Sequence, residues 1–287
     1  MDARDGFDHL IGKSTGMRHA VQKARLLTQV VAPVLLQGET GVGKDVFARA
    51  IHDGGRHRDG PFVALNCGGL PRDLLASELF GYVDGAFTGA RRSGMVGKIE
   101  AARGGTLFLD EISEMPIDLQ PYLLRVLEGG EIYPLGSTEA RTVEFRLVSA
   151  CNRNLRDEVS ASRFRSDLFY RVCITELHIP ALRDRKEDIP ALVEHFSREV
   201  AEHDRVPTKP FAPDVLAAFG NYAWPGNLRE LRNVVEGMML VCEGDVVGLR
   251  ALPAELGARC EAPGDAAIAE QHGGLERLER DAIRAAI

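Results

Sequence analysis

The sequence predicts an α/β fold, a parallel sheet covered by helices, followed by a smaller domain made only of helices. Short apolar runs alternate with helical patterns as far as Ile179, and this alternation is typical of a parallel sheet. From about Arg183 only helical patterns remain. A glycine-rich stretch, residues 38–44, separates the first apolar run from a helical pattern, which gives the order strand, loop, helix.

Length and composition fit two compact units. The 287 residues exceed one minimal core, and 45% apolar with 27% charged residues lie far from the signature of disorder. Lysine and arginine total 35 against 42 acidic residues, which gives a net charge of -7. Such a surface should not attract phosphate backbones nonspecifically, so any contact with nucleic acid would be local or lie outside this chain.

Targeting and membrane signals are not evident in the sequence. Residues 1–10 lack the apolar segment of a signal peptide, and no run approaches the length of about 18 apolar residues that a membrane span needs. The cysteines number five and show no C-x-x-C spacing, which argues against a closed disulfide framework. We therefore expect a cytoplasmic protein with reduced thiols and no membrane contact.

Apolar runs of strand type supply the predicted sheet. They are short and are separated by turn residues and helical patterns. The runs cover residues 32–37, 61–66, 106–110, 146–151 and 172–179. Because helical patterns separate several of them, the connections are expected to be crossovers between parallel strands.

Helical patterns follow at residues 189–201, 213–219 and 227–241. Asn227 and Glu230 stand at the spacing of a capping box, and Arg229 lies off the apolar stripe of this last helix, free to face a ligand. In the stretch 116–128, Pro121 would remove a helix hydrogen bond, so we expect a kink or a restart there.

These patterns predict the domain boundaries. Residues 1–9 form a tail, 10–181 the α/β domain and 182–253 a helical lid domain. Residues 254–274 are rich in Ala, Gly, Pro and Glu without a sustained period, which indicates a linker. Residues 275–287 regain helical spacing and are expected to begin a truncated C-terminal helical region.

The glycine-rich stretch matches the phosphate-binding pattern G-x-x-x-x-G-K. Its backbone N–H groups would cradle phosphates, and its lysine would reach the β and γ oxygens of ATP. The alternative, a glycine-rich turn without a ligand, fits the strand-loop-helix context less well. Asp45 stands where the strict pattern has a Ser or Thr that contacts magnesium, so that contact must be made differently. The candidate residues are Gly38, Glu39, Thr40, Gly41, Val42, Gly43, Lys44 and Asp45.

Two carboxylates end the apolar run 106–110. Ligands of parallel sheets gather at the carboxyl ends of the strands, so Asp110 suits Mg²⁺ and Glu111 suits orienting the attacking water. The alternative is a solvated turn, which the upstream Lys44 makes less favourable. Asn152 ends the next run, where its amide would lie beside the γ-phosphate or would instead cap the following helix.

Arg165 and Arg171 are candidates for an arginine that reaches a neighbouring subunit's γ-phosphate. The alternative interpretation is surface ion pairing with Asp167 and Glu176. Sequence reasoning alone leaves both interpretations open.

The hexapeptide GAFTGA at residues 85–90 is typical of one family. With ETGVGK, LNC, ELFG, GGTLFLDEI, LLRVLE, FRSDLFYRV, LRDRKEDI and WPGNLREL, it makes residues 10–253 resemble the AAA+ central domain of bacterial sigma-54-dependent transcriptional activators, the enhancer-binding proteins. Three departures are Asp45 for the usual glutamate, Cys151 for the common threonine, and Pro121 in a usually continuous helix.

The resemblance implies a role for each matching residue. Lys44, Asp110 and Glu111 would form the ATPase core, and Asn66 would restrain Glu111 as a switch. Asn152 would be the sensor I position and Arg229 sensor II, while Arg165 and Arg171 would be the arginine fingers. The loop that contacts sigma-54 would consist of Gly85, Ala86, Phe87, Thr88, Gly89 and Ala90.

The resemblance also implies a function: a homo-oligomeric ring, hexamer or heptamer, that uses ATP and Mg²⁺ to remodel sigma-54 RNA polymerase from closed to open complexes. Promoter DNA would be bound only through a C-terminal domain that we expect to be absent from this chain.

The alternative functions explain the motifs less well. A phosphate-loop kinase gives no role to GAFTGA, and a passive nucleotide-binding module gives none to the intact Lys44, Asp110 and Glu111. A GTPase would carry an N-K-x-D stretch, which the sequence lacks.

Overall fold

The computed structural model describes residues 6–86, 93–253 and 256. The chain divides into two compact units. The first holds Met1–Leu192 together with Trp224–Leu231, and the second holds Val193–Ala223 together with Arg232–Ile287. The boundaries of the domains proposed from the sequence stay a prediction.

Strands and helices alternate through the first unit, as the sequence predicted. In chain order the strands of the described residues are β1 Val34–Gln37, β2 Phe62–Asn66, β3 Gly81–Tyr82, β4 Met95–Val96, β5 Thr106–Asp110, β6 Glu131–Ile132, β7 Arg141–Thr142, β8 Arg146–Cys151 and β9 Thr175–His178. The helices are α1 Thr15–Thr28, α2 Lys44–Asp53, α3 Arg72–Phe80, α4 Lys98–Ala101, α5 Gln120–Gly129, α6 Leu155–Ser160, α7 Ser166–Val172, α8 Ile189–Asp204, α9 Pro213–Asn221 and α10 Asn227–Val241.

The main sheet has five strands in the order β2-β5-β8-β1-β9, and every neighbouring pair is parallel. Two small antiparallel pairs, β3 with β4 and β6 with β7, lie outside it. The parallel sheet with helical crossovers is the fold class that the sequence predicted.

Apolar side chains cover both faces of the main sheet. In β5, Leu107 and Leu109 belong to one buried cluster and Phe108 to the other, because successive side chains of a strand point to opposite faces. The first cluster includes residues of α3, α5 and α7, whereas the second includes residues of α1 and α2. Helices therefore flank the sheet on both sides, which explains why its strands are nearly continuous apolar runs.

The last predicted strand is too long by several residues. Residues 166–172 form α7, and the strand begins only at Thr175. Leu168, Phe169 and Val172 stand at helical spacing and are all buried in the first cluster. This spacing selects a helix over a strand for the segment.

Pro121 causes no kink, because α5 begins beside it. The helix begins at Gln120, which places the proline in the first turn, where its missing N–H has no intrahelical partner to lose.

The capping-box prediction for α10 is wrong in its partners. Glu230 Oε2 accepts a hydrogen bond from the Gly226 N–H at 2.8 Å, and the Asn227 side chain bonds elsewhere.

The second unit contains the greater part of α8, all of α9 and the end of α10. Its buried apolar side chains include Val193, Phe196, Val215, Phe219 and Met238. Among residues 6–86, 93–253 and 256, no helix is both long enough and apolar enough to cross a membrane.

Four cysteines, Cys67, Cys151, Cys173 and Cys242, are free thiols. Burial raises the pKa of Cys67 and of Cys151 to about 12. Both therefore carry a proton at neutral pH and pack as small apolar side chains.

Candidate functional site

The carboxyl ends of four parallel strands meet at one edge of the main sheet. Gln37 of β1 pairs with Cys151 of β8, and Asn66 of β2 pairs with Asp110 of β5. The N–H of Gly38 donates to the carbonyl oxygen of Cys151 at 3.3 Å. The structure thus brings the glycine-rich loop, the carboxylate pair and the ends of β2 and β8 to the edge where ligands of such sheets bind.

The glycine-rich loop, residues 38–44, has a backbone that requires glycine. Gly41 and Gly43 lie in the left-handed region, with φ of 79° and 97°. A Cβ at Gly41 would lie 2.3 Å from the carbonyl oxygen of Gly226, so this position also excludes a side chain. Because α2 begins at Lys44, the first N–H groups of that helix have no intrahelical partner. This shape suits the binding of phosphate oxygens.

Lys44 folds back onto the loop. Its Nζ donates to the carbonyl oxygens of Gly38 at 2.8 Å and Glu39 at 3.0 Å, and the residue is only 8% exposed. Burial lowers the pKa of Lys44, whereas the negative charges of Asp110 and Glu111 oppose that shift. An anionic ligand at the loop would favour the charged form of this lysine further.

Asp110 is half-buried at the end of β5. Burial raises the pKa of its carboxyl, while the hydrogen bond from the Glu111 N–H at 2.9 Å and the charge of Lys44 oppose the shift. The described residues contain no group of three or more His, Cys, Asp or Glu side chains arranged for a metal. Magnesium bound with a nucleotide needs only one or two carboxylates, since phosphates and water complete its shell. Asp110 therefore fits this role.

Glu111 follows with φ of 51°, a left-handed conformation that is uncommon outside glycine. A Cβ at Gly68 would lie 2.4 Å from Glu111 Oε2, so the carboxylate rests against this glycine. Asn66 Oδ1 accepts hydrogen bonds from the N–H groups of Gly68 at 2.8 Å and Gly69 at 3.1 Å. Asn66 is thus connected to Glu111 through the turn that it shapes. The role of Gly68 escaped the sequence reasoning, although the glycine pair after Cys67 was a usable signal.

Asn152 faces the glycine-rich loop. Its Nδ2 donates to Thr40 Oγ1 at 3.3 Å. The alternative, that it caps the next helix, does not hold: Asn154 is the N-cap of α6, and its Oδ1 accepts from the Arg156 N–H at 3.0 Å. The Asn152 amide therefore lies where it could contact a bound phosphate.

Arg165 and Arg171 lie at the two ends of α7 and bind different partners. Arg165 forms a bidentate pair with Asp167, with distances of 3.1 and 2.7 Å. Arg171 donates to the carbonyl oxygen of Leu127 from Nε at 3.1 Å and from a terminal nitrogen at 2.7 Å. The ion pair expected for Arg165 is therefore present, and neither arginine is brought next to the loop by contacts among the described residues.

A second set of contacts reaches the loop from residues 182–185 and 224–229. The guanidinium of Arg183 forms a bidentate pair with the Glu39 carboxylate, at 2.8 and 2.6 Å. A terminal nitrogen of the buried Arg185 donates to the Val42 carbonyl oxygen at 3.1 Å, and the Leu228 N–H donates to that of Gly41 at 2.9 Å.

Arg229, the predicted sensor II residue, is exposed beside the same loop. A Cβ at Gly41 would lie 3.3 Å from Arg229 Cβ. Sequence reasoning named Arg229 but gave no role to Arg183 or Arg185. The LRDRKEDI segment that contains both was the signal.

Of the GAFTGA loop, Gly85 and Ala86 are described, whereas Phe87, Thr88, Gly89 and Ala90 lie outside the described residues. Gly85 has φ of 75°, and the Ala86 N–H donates to the Val83 carbonyl oxygen at 3.2 Å. Ala86 also lines a cavity of about 810 Å³ between residues of α3, of α5 and of the turn at Gly136. The base of the loop is thus a tight turn held at the end of β3.

Family models match almost the whole chain. Residues 10–178 match the family described as "Sigma-54 interaction domain", and residues 183–268 match the "AAA+ ATPase lid domain". Both matches agree with the parallel sheet, the glycine-rich loop and the helices of the second unit.

Two relatives and one solved structure illustrate the similarity. The chain is 46% identical over 262 residues to a Geobacillus stearothermophilus protein named limonene hydroxylase, covering 90% of this chain and 48% of that one. It is 43% identical over 262 residues to the DNA-binding transcriptional regulator NtrC of Rhizobium meliloti strain 1021, covering 91% and 53%. The crystal structure of NtrX from Brucella abortus in complex with ATP superimposes with a TM-score of 0.82 at 34% identity, covering 95% and 61%.

The chain spans about half the length of these two relatives. The segment that matches the first family model nevertheless contains the glycine-rich loop, the carboxylate pair and the GAFTGA sequence, and it exceeds half of the 287 residues. The chain therefore belongs to the sigma-54 interaction domain family of AAA+ transcriptional activators.

Proposed function

We propose that this chain is an ATPase whose subunits assemble into a ring and convert closed complexes of sigma-54 RNA polymerase into open ones. One observation carries the proposal. The phosphate-binding loop, the Asp110–Glu111 pair and Asn152 meet at one sheet edge, in a chain that belongs to the sigma-54 interaction domain family. The ATP complex of the similar NtrX supports ATP as the nucleotide.

The side chains of the site divide the hydrolysis reaction among them. The loop N–H groups and Lys44 bind and orient the β- and γ-phosphates, and Asp110 holds Mg²⁺. The metal, when bound with ATP, neutralises charge that develops on the phosphate oxygens. Glu111 orients the water that attacks the γ-phosphorus, and Asn152 detects whether the γ-phosphate is present.

Asn66 would restrain Glu111 until the nucleotide state changes. Its hydrogen bonds to Gly68 and Gly69 set the turn against which the Glu111 carboxylate lies, so a shift of Asn66 would move that carboxylate. Arg229 would contact the phosphates from the other side of the loop. ATP hydrolysis would therefore depend on side chains positioned by the ends of four strands and by the start of α10.

The arginine fingers would come from a neighbouring subunit. Arg165 and Arg171 are exposed, and their partners within the chain are a surface carboxylate and a carbonyl oxygen. Exchanging such partners for a γ-phosphate costs little, because solvent screens an exposed ion pair and water can replace the arginine at an exposed carbonyl oxygen. A hexameric or heptameric ring would place one subunit's α7 at the next subunit's nucleotide.

The output surface would be the GAFTGA loop, in which Phe87 and Thr88 would contact sigma-54. The complex would act in the cytoplasm. The net charge of -7 supports a chain that does not bind DNA nonspecifically by itself.

The decisive experiment mixes the chain with sigma-54 holoenzyme and a supercoiled or premelted promoter, and measures ATP-dependent open-complex formation. Lys44→Ala should abolish it by weakening nucleotide binding, whereas Glu111→Gln should bind ATP but turn over slowly. Open complexes that form equally well without ATP, or with Glu111→Gln at the parent rate, would show that the proposal is wrong.

A further inference from the structure

The outer side of the phosphate-binding loop is held by an ion pair that the catalytic scheme above does not use. Arg183 and Glu39, 144 residues apart in the chain, form two hydrogen bonds of 2.8 and 2.6 Å. Asn227 Nδ2 donates to the same carboxylate, to Oε2 at 3.2 Å. One acidic side chain of the loop thus connects two distant segments.

In this arrangement both the oxygen and the nitrogen of the Asn227 side-chain amide have hydrogen-bond partners. It is fully buried, its Oδ1 accepts from the Leu182 N–H at 2.8 Å, and its Nδ2 also donates to the Thr40 carbonyl oxygen at 3.1 Å. Its φ of 52° is left-handed, which asparagine tolerates better than most residues. Aspartate has the same shape but could not donate, and it would set a second negative charge against Glu39.

The contacts that residues 182–185 and 227–228 make with the loop use acceptor atoms of the loop. The Gly41 and Val42 carbonyl oxygens accept from Leu228 and Arg185, and the Thr40 carbonyl accepts from Asn227. The N–H groups of the loop are the atoms that a phosphate needs. The external contacts therefore satisfy the carbonyls without competing for the donors.

The pairing with Arg183 changes the pKa of the Glu39 carboxyl. The hydrogen bonds from Arg183 and then from Asn227 lower the pKa of the Glu39 carboxyl, so it is ionised at neutral pH. An isolated exposed pair contributes little, and the Arg183 and Glu39 side chains are 44% and 41% exposed. The bidentate geometry and the buried Asn227 give this pair a more fixed arrangement than an ordinary surface contact.

We propose that Arg183 and Asn227 are positioning residues: through Glu39 they hold the phosphate-binding loop in the shape that receives the phosphates. This inference rests on the proposed nucleotide binding. Because the loop holds the β-phosphate in both nucleotides, loosening it weakens ATP and ADP binding alike, while turnover at saturating ATP changes little.

The test measures dissociation constants for fluorescent ATP and ADP analogues, the turnover number at saturating ATP, and the unfolding temperature without nucleotide. Arg183→Gln and Glu39→Gln should each weaken the binding of both nucleotides by about twofold to fivefold, a modest change because solvent screens the charges of an exposed pair. Asn227→Asp should weaken them about tenfold or more. Adding Glu39→Gln to Asn227→Asp should recover part of the loss, because the amide introduced at position 39 can donate to the carboxylate introduced at position 227, where two carboxylates would repel each other.

Arg72→Gln is the matched control. It removes an exposed arginine that pairs with Asp118 and Asp73 elsewhere in the first unit, and both dissociation constants should stay at the parent values. Unchanged constants in Arg183→Gln and in Glu39→Gln would overturn the inference, whatever Asn227→Asp does to folding. A parent chain that binds neither nucleotide would instead contradict the proposed function.

Discussion

The position of the Glu111 carboxylate depends on the absence of a side chain at Gly68. The φ of Gly68 lies outside the left-handed region, so alanine fits its backbone, and a Cβ would meet the Glu111 carboxylate at 2.4 Å. The carboxylate is the movable partner in that collision. A single methyl group at this position therefore tests the placement of the proposed water-orienting group without removing it.

We predict that Gly68→Ala lowers the turnover number for ATP about tenfold or more, since a misplacement of about 1 Å at a catalytic group can cost a hundredfold. ATP binding should stay within about twofold, because the change leaves residues 38–44 intact. Steady-state hydrolysis and nucleotide titrations would measure both. Gly69→Ala is the control, because a Cβ there meets nothing closer than 3.8 Å. Equal turnover in the two variants would contradict the prediction.

The elements themselves were readable from the sequence where one pattern dominated. The strands Thr106–Asp110 and Arg146–Cys151 have the predicted bounds, because both are apolar runs buried on two faces. The strand predicted at residues 172–179 begins three residues too early, because Val172 is the last residue of α7 and a short apolar run fits either period until packing selects one. Helix spacing of three buried side chains decided the outcome there.

The contacts of the site were less predictable than its motifs. The glycine-rich loop and the Asp110–Glu111 pair are local patterns, so the sequence displays them directly. The bond between Glu39 and Arg183 joins residues 144 positions apart, and that from Asn227 to Glu39 spans 188. Such pairings depend on how elements pack. A local motif such as LRDRKEDI marks one partner of the pair but does not identify the other.

Arg146 connects the ends of two helices. It is 1% exposed, and its guanidinium donates to the carbonyl oxygens of Leu27, near the end of α1, at 2.5 Å and of Ile51, near the end of α2, at 3.4 Å. The last carbonyls of a helix lack intrahelical donors, and a cation at this end also interacts favourably with the helix dipole. Burial lowers the pKa of Arg146 to about 10, which still leaves it charged at neutral pH.

We predict that Arg146→Ala destabilises the nucleotide-free protein by about 2–4 kcal/mol, because it leaves a cavity and removes the guanidinium hydrogen bonds to two buried carbonyl oxygens. Urea unfolding would measure the change. Arg103→Ala, at an exposed arginine, should alter stability by less than about 0.5 kcal/mol. A similar midpoint for both variants would show that the Arg146 contacts contribute nothing.

At the scale of the whole molecule, we proposed that each nucleotide site receives an arginine from a neighbouring subunit. This shared-site model makes hydrolysis depend on assembly. We predict that ATPase activity per chain rises with protein concentration, because Arg165 or Arg171 must come from a second subunit. Light scattering would follow the oligomer over the same range. Activity that stays strictly proportional to protein concentration, in a chain that light scattering shows to be monomeric, would exclude the model. As a second test, mixing Arg171→Ala chains with Lys44→Ala chains should restore hydrolysis at interfaces between the two variants.

Thr88→Ala should separate hydrolysis from output. Thr88 lies in the GAFTGA loop, and the substituted methyl group cannot make a hydroxyl hydrogen bond. ATPase activity and assembly should stay within about threefold, as for a residue outside the nucleotide site. Retention by sigma-54 in the presence of a transition-state analogue, and open-complex formation, should be lost. A fully active variant would leave the loop without the role that we give it.

The alternation of buried side chains along β5 has a consequence for how this chain can change during evolution. Leu107 and Leu109 occupy one face of the sheet and Phe108 the other, and Asp110 continues the same count. Deleting one residue within the strand would invert every later side chain, because the period is two. The orientation of the Asp110 carboxylate, the proposed magnesium ligand, is therefore fixed by the packing of the preceding apolar side chains on both faces of the sheet. Substitutions can accumulate within β5, whereas insertions and deletions should be confined to the loops between elements.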